Sequence, residues 1–68
     1  MKIYLVTLTR PANYDEYDGL VIIAQNKKNA RSIALKDYDF CDMFIVIEKI
    51  GLTKIKEQKV VLESYNKG

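Results

Sequence analysis

Five consecutive apolar residues at positions 20–24, Leu-Val-Ile-Ile-Ala, constrain the fold more than any other segment. A run of this length is shorter than a typical helix, and bounded by turn residues it is typical of a buried strand. Gly19 stands directly before the run and marks its start. Residues 20–24 are therefore predicted to form a buried strand.

Three further segments have the composition of strands. Residues 2–9 are rich in β-branched and aromatic side chains, and Pro11 stops this strand because proline cannot donate to a ladder. Residues 43–50 alternate after an apolar start, with Ile45 and Ile47 on one face, and end before Gly51. Residues 59–65 are the last predicted strand. Residues 14–19 are expected to be a polar loop, so the first two strands form a hairpin with a long tip.

One helix is predicted over residues 27–36. Asn26 is a favoured N-cap residue, and Ala30, Ile33 and Ala34 follow at helical spacing. An isolated helix this short is unstable in water, so it must pack on the sheet.

The predicted fold class is α+β, with the order β-β-α-β-β and a four-stranded, mainly antiparallel sheet carrying the helix on one face. Sixty-eight residues suffice for a single domain, residues 1–68. The strand order stays open. The other face of the sheet is expected to be uncovered and either polar or a partner surface, with Tyr4, Tyr65 and the Phe44 side as its candidate residues.

The inventory of reactive residues argues against catalysis. The chain has no histidine and one cysteine, Cys41, so the usual base of a nucleophilic triad is missing. Three scattered glycines make no phosphate loop, and the aspartates at positions 37, 39 and 42 lack the glycine and distal glutamate of a calcium loop. We therefore expect no enzyme activity, no cofactor and no metal.

The net charge of the whole chain indicates no particular partner, and its hydropathy predicts where the protein is located. The net charge of +2 is too small to imply nucleic acid or an acidic membrane as partner. The first apolar run is broken at Thr7, Thr9 and Arg10, before the length of a signal-peptide core or a membrane span. A cytoplasmic protein without membrane contact is expected.

Two local charge features are candidate binding sites. The first, the acid–tyrosine segment, comprises Tyr14, Asp15, Glu16, Tyr17 and Asp18; tyrosine gives large contact area at low entropic cost. The alternative is that a tyrosine covers the sheet edge while the acids keep the loop hydrated.

The second feature, the basic helix start, comprises Lys27, Lys28 and Arg31. The helix macrodipole disfavours positive charge in the first turn, which suggests that this turn holds a phosphate or a partner's carboxylate. The alternative is that the small unfavourable interaction of these lysines with the macrodipole is tolerated and the first turn holds no ligand.

Several short motifs together resemble a family of small single-domain proteins encoded by bacteriophages and prophages. They are Tyr14-Asp15-Glu16-Tyr17-Asp18 before Val21-Ile22-Ile23-Ala24, then Ala30-Arg31, then Val46, Glu48-Lys49-Ile50-Gly51, and the ending Val61-Leu62-Glu63-Ser64-Tyr65-Asn66-Lys67-Gly68. The basic helix start departs from the acidic residues expected in such relatives. Some anti-CRISPR proteins are also similar in size and element order.

The resemblance implies a stoichiometric inhibitor of a bacterial host defence complex, acting in the host cytoplasm by occluding a surface. Two alternatives stay open. A nucleic-acid-binding module would stack bases on the open sheet face and meet phosphates with the helix lysines. A phage accessory or structural protein would form a homodimer through a strand edge or through the open face.

Overall fold

The described part of the chain folds into a four-stranded sheet with one helix packed across it. The computed structural model describes residues 1–10, 16–38 and 40–66. Its elements are β1 (Lys2–Leu8), β2 (Glu16–Ala24), α1 (Lys27–Asp37), a 3₁₀ turn (Asp42–Phe44), β3 (Ile45–Leu52) and β4 (Lys59–Asn66). The predicted α+β class and the β-β-α-β-β order are confirmed.

The strands lie in the order β3-β1-β2-β4, and every neighbouring pair is antiparallel. The β1–β2 hairpin therefore occupies the centre, and the two strands from the second half of the chain form the edges. Because β1 separates β2 from β3, those two strands run parallel, and α1 crosses the sheet between them. Sequence alone leaves this order open.

The core lies between α1 and one face of the central hairpin. Tyr4 is opposite Ile22 and Val6 is opposite Leu20, and residues directly opposite one another share a face. All four side chains are buried against the helix side. The predicted apolar stripe of α1 is confirmed, because two alanines are fully buried and an isoleucine packs against the same cluster: Ala30, Ala34 and Ile33. Small side chains allow the helix to approach the sheet closely.

The start of β2 corrects one sequence prediction. The sequence predicts a loop over residues 14–19, but the strand already begins at Glu16, since Tyr17 pairs with Tyr65 and Gly19 pairs with Ser64 of β4. Asp18 lies at an irregularity between these two pairs, which accommodates an extra residue without ending the ladder. A polar composition is compatible with strand structure here because Asp18 is exposed.

The bounds of β3 also differ from the prediction. Residues 43–44 belong to the 3₁₀ turn, in which the Phe44 N–H donates to the Cys41 carbonyl at 2.9 Å. The strand continues past Gly51 to Leu52, which pairs with Lys2. Just beyond it, the Thr53 N–H donates to the Met1 carbonyl at 3.0 Å, so pairing with the start of the chain extends the ladder.

The connection between the two edge strands, residues 53–58, is fastened to the start of the helix. The Gln58 Oε1 atom accepts hydrogen bonds from the Gln25 N–H at 2.9 Å and from the Asn29 Nδ2 at 2.8 Å. One amide side chain thus joins the segment before β4 to the link between β2 and α1.

Asn26 is the N-cap of α1, as predicted: its backbone is extended, and its Oδ1 accepts from the Asn29 N–H at 2.8 Å. We expect Asn26→Ala to lower the free energy of unfolding by about 1 kcal/mol, because a helical N–H loses its acceptor. Urea denaturation measures the change. Asn26→Asp should retain most of the stability. Lys28→Ala, also in the first turn, is the control, and equal midpoints for Asn26→Ala and Lys28→Ala would contradict the assigned cap.

Candidate interaction surface

The acid–tyrosine segment is only partly within the described residues. Tyr14 and Asp15 lie outside them, and of Glu16 the structure describes the backbone, in β2. Tyr17 is half-buried and its ring meets that of Tyr38 edge-on, with centroids 5.0 Å apart and an interplanar angle of 80°. Asp18 is exposed. Tyr17 therefore packs at the boundary of the core, at the C-terminal end of α1.

The hydroxyl of Tyr38 connects this contact to β4. It donates a hydrogen bond to the Glu63 Oε2 at 2.9 Å. This hydrogen bond raises the pKa of Tyr38 above its ordinary value of 10.0, and desolvation and the negative charge of Glu63 add to the shift. The phenol thus keeps its proton at neutral pH and serves as a donor that fastens the end of α1 to an edge strand.

The basic helix start is exposed, but part of its charge is compensated. Lys27 and Lys28 are exposed, and the first turn of α1 contains no acidic residue. The Arg31 Nη1 lies 2.8 Å from the Asp42 Oδ1 and donates a hydrogen bond to it. Arg31 therefore ties α1 to the 3₁₀ turn, and the two lysines form the basic surface of the first turn.

The two predicted patches lie at opposite ends of the sheet. Asp18 is near the start of β2, whereas Lys27 and Lys28 follow its last residue, Ala24. Six residues of extended strand separate Asp18 from Ala24, a distance of about 20 Å. The acid–tyrosine segment and the basic helix start are therefore separate surfaces.

The open face of the sheet is not the aromatic face that the sequence suggests. Tyr4 is 4% exposed and packs on the helix side, so it offers no surface for base stacking. Phe44 belongs to the 3₁₀ turn, and the Arg10 guanidinium lies 5.2 Å from its ring centroid. The side chain of Tyr65 lies outside the described part. The nucleic-acid alternative thus loses Tyr4 as a stacking platform.

Aliphatic side chains form the open face instead. Leu5 is opposite Val21, and Val21 is opposite Leu62, so these residues make an apolar row across three strands. An apolar depression lies beside the row at Gly19, where no side chain fills the surface. The alternation in residues 2–9 predicts that the odd-numbered side chains lie on the other face of the strand from Tyr4 and Val6. It does not predict which of the two faces packs against the helix.

Exposed apolar side chains are concentrated in one half of the chain. The large exposed ones in the described part all lie between positions 43 and 62: Met43, Phe44, Val46, Ile50, Leu52, Ile55, Val61 and Leu62. Met43 and Leu52 are the most exposed, at 79% and 71%. Both edges of the sheet therefore carry apolar surface.

The described ranges, 1–10, 16–38 and 40–66, contain no group of three or more histidine, cysteine, aspartate or glutamate residues arranged to hold a metal ion. No helix there has the length and apolar character needed to cross a membrane.

Comparisons with protein families, curated proteins and solved structures find no match to this chain. The resemblance to small phage proteins therefore stays a hypothesis.

The Tyr17–Tyr38 contact predicts an energetic coupling between β2 and the end of α1. In a double-mutant cycle with Tyr17→Leu and Tyr38→Leu, we expect a coupling of about 1 kcal/mol, the usual contribution of an edge-on aromatic pair beyond area burial. Chemical denaturation of the four proteins measures it. The pair Tyr17→Leu and Lys28→Ala is the control, because these residues are distant. Strict additivity in the tyrosine cycle would contradict the contact.

The Tyr38–Glu63 hydrogen bond predicts a pH effect. Because the folded-state pKa of Tyr38 is raised, its contribution to stability is complete below pH 10 and is lost as pH rises through the folded pKa. Glu63→Gln removes the negative charge and should move the Tyr38 titration to lower pH. Ultraviolet absorbance of tyrosinate reports the titration, and subtraction of the Tyr38→Phe titration assigns it. An unchanged Tyr38 titration in Glu63→Gln would refute the assignment.

Proposed function

We propose that this protein acts by binding another protein at fixed stoichiometry and performs no catalysis. The observation that carries the proposal is the group of exposed large apolar side chains in the 3₁₀ turn and β3, at one edge of the sheet: Met43, Phe44, Val46, Ile50 and Leu52. Exposed apolar surface of this kind on a small domain marks interaction sites, because leaving it in water is unfavourable.

The outer edge of β3 is the surface best suited to a target protein. β3 is the first strand in the order β3-β1-β2-β4, so its outer side has no neighbouring strand in the described sheet. Met43 stands just before the strand, and Leu52 is its last residue. An extended segment of a partner could add to this edge through backbone hydrogen bonds, with the exposed apolar side chains supplying selectivity.

The class of target comes from the resemblance to phage proteins. It favours a bacterial host defence complex, whose working surface the bound protein would cover. Inhibition of this kind requires one inhibitor molecule for each target site and no turnover. Lys27 and Lys28, at the opposite end of the sheet from Asp18, remain as a second contact for an acidic surface.

The test is capture followed by titration. Immobilised protein is expected to recover a defined complex from lysates of bacteria with active defence systems. Titration of the purified complex should then abolish its activity linearly, with an end point at one equivalent per site. Met43→Glu combined with Leu52→Glu should weaken capture at least tenfold, because both charges would have to be desolvated in the interface.

Lys36→Glu is the matched control, since it introduces a carboxylate at an exposed position of α1, outside the 3₁₀ turn and β3. It should capture as the parent does. Tyr17→Ala is unsuitable as a surface variant, because its ring packs against Tyr38. Failure to recover any complex from several hosts, or inhibition well below one equivalent, would overturn the proposal.

A further inference from the structure

The central strands are apolar on the face turned away from α1 as well as on the face that meets it. Ile3, Leu5, Val21 and Ile23 all lie on that second face, since Ile3 is opposite Ile23 and Leu5 is opposite Val21. Ile23 is already buried within the single chain at 3% exposure, whereas Leu5 and Val21 are half-buried and Leu62 beside them is exposed. Strands with apolar residues on both faces are typical of sheets covered on both sides, so the row of Leu5, Val21 and Leu62 calls for a second layer.

Two charges flank this apolar centre on opposite edges of the sheet. On β3, Glu48 is opposite Leu5, so the register places it on the open face. On β4, Lys59 is opposite Ile23, which places it on the same face. Both residues are exposed. The open face therefore has an acidic edge and a basic edge.

We propose that a second copy of this chain covers the open face, forming a face-to-face homodimer. Aligned sheets pack about 10 Å apart with side chains interdigitating between them. A twofold axis parallel to the strands lays the β3 edge of each copy over the β4 edge of the other. The acidic edge then meets the basic edge twice in one closed dimer.

The charges select this axis over the alternative. A twofold axis perpendicular to the strands, in the plane between the sheets, would lay β3 over β3 and bring Glu48 near its own copy. With the axis parallel to the strands, Glu48 of one copy lies over Leu62 of the other copy. Lys59 of that other copy lies in the next row of paired residues, about 7 Å along the strand. The long side chains of Glu48 and Lys59 can span this distance.

The size of the face sets the strength of the dimer. Four strands about 4.8 Å apart, of which β1 is the shortest with 7 residues, make a surface of roughly 19 by 23 Å. That is below the roughly 800 Å² per partner of a standard interface. The dimer should therefore be weak and depend on concentration, with dissociation in the micromolar range or above.

The dimer leaves the target surface accessible. Met43 lies in the 3₁₀ turn and the outer edge of β3 is directed sideways from the sheet, so both stay outside a face-to-face contact. The proposed homodimer and the proposed binding of a target are thus independent, and dimerisation can be measured without a target.

Sedimentation velocity from micromolar to millimolar protein should show the parent passing from monomer to dimer. Glu48→Lys places two lysines at each contact, and Lys59→Glu places two carboxylates there. Each single variant should dimerise more weakly, on the order of tenfold, because two exposed ion pairs become repulsive. Val21→Lys, at the centre of the face, should abolish dimerisation, and circular dichroism verifies that each variant is folded.

Mixing the two single variants is the decisive measurement. In a heterodimer of Glu48→Lys with Lys59→Glu, one contact joins the two substituted side chains, a lysine and a glutamate. The other contact joins the unchanged Lys59 of the first variant to the unchanged Glu48 of the second, so both contacts are attractive. The mixture should regain the parent's association, and added salt should reduce it.

The controls carry equal changes of charge at other positions. They are Lys49→Glu, on the helix face opposite Tyr4, and Asp37→Lys, at an exposed position at the end of α1. Both should dimerise as the parent does, because neither position lies on the open face.

A parent that stays monomeric up to millimolar concentration would overturn the proposal. So would a mixture that associates no better than its two components, or controls that weaken the dimer as much as the charge reversals do. Parent-like dimerisation of Val21→Lys would place the interface elsewhere and reject the open face.

Discussion

The pairing of β1 with β2 determines what every other element meets. These strands form the middle of the sheet, and their register places Val6 opposite Leu20 on the side of α1. A slip of β2 by one residue would turn that strand over and present Val21 and Ile23 to the helix in place of Leu20 and Ile22. Because both faces of the hairpin are apolar, alternation alone selects the register weakly. Close packing selects between the two registers. The large side chains on the helix face of the hairpin pack against the two buried alanines of α1, whose side chains are small.

Features set by neighbours in sequence could be predicted, and features set by distant partners could not. Asn26 caps α1 and Ala30 packs inward because capping and helical spacing depend on residues within a few positions. The alternation in residues 43–50 likewise predicts Ile45 and Ile47 on one face, and their pairing with Leu8 and Val6 confirms it. The strand order had no local signal, since β3 and β4 have similar compositions and either could lie beside β1. The start of β2 could not be predicted for the same reason, because its strand structure depends on pairing with β4, some fifty residues later.

The candidate surfaces show the same division. Exposure of Lys27 and Lys28 follows from their place on the polar side of a short helix, and their positions are as the sequence implies. The prediction of Tyr4 on the open face was wrong because an aromatic residue in a half-buried strand suits either side, and only pairing with Ile22 and contact with the helix decide between them. In the sequence, Tyr17 suggests an exposed contact residue because acidic residues surround it. Side chains alternate between the two faces of a strand, however, so the exposure of Asp18 does not predict the exposure of Tyr17.

Apolar edge strands normally invite open-ended association, and the shape of this sheet opposes it. The ladder between β1 and β3 has an irregularity at Ile3 and Tyr4, and the ladder between β2 and β4 has two, at Tyr17 to Gly19 and at Val21 and Ile22. Such irregularities increase local twist and disfavour flat edge-to-edge stacking of whole sheets, whereas a single extended peptide can follow the twist of the edge. Charges at Glu48 and Lys49 on one edge and at Lys59 and Glu63 on the other oppose it further. Contact through the open face differs in kind, because a twofold axis buries the same surface on both copies and leaves no further copy of that surface exposed. The proposed homodimer is therefore a closed pair of domains that cannot grow into a larger sheet, and it leaves the outer edge of β3 for the proposed target.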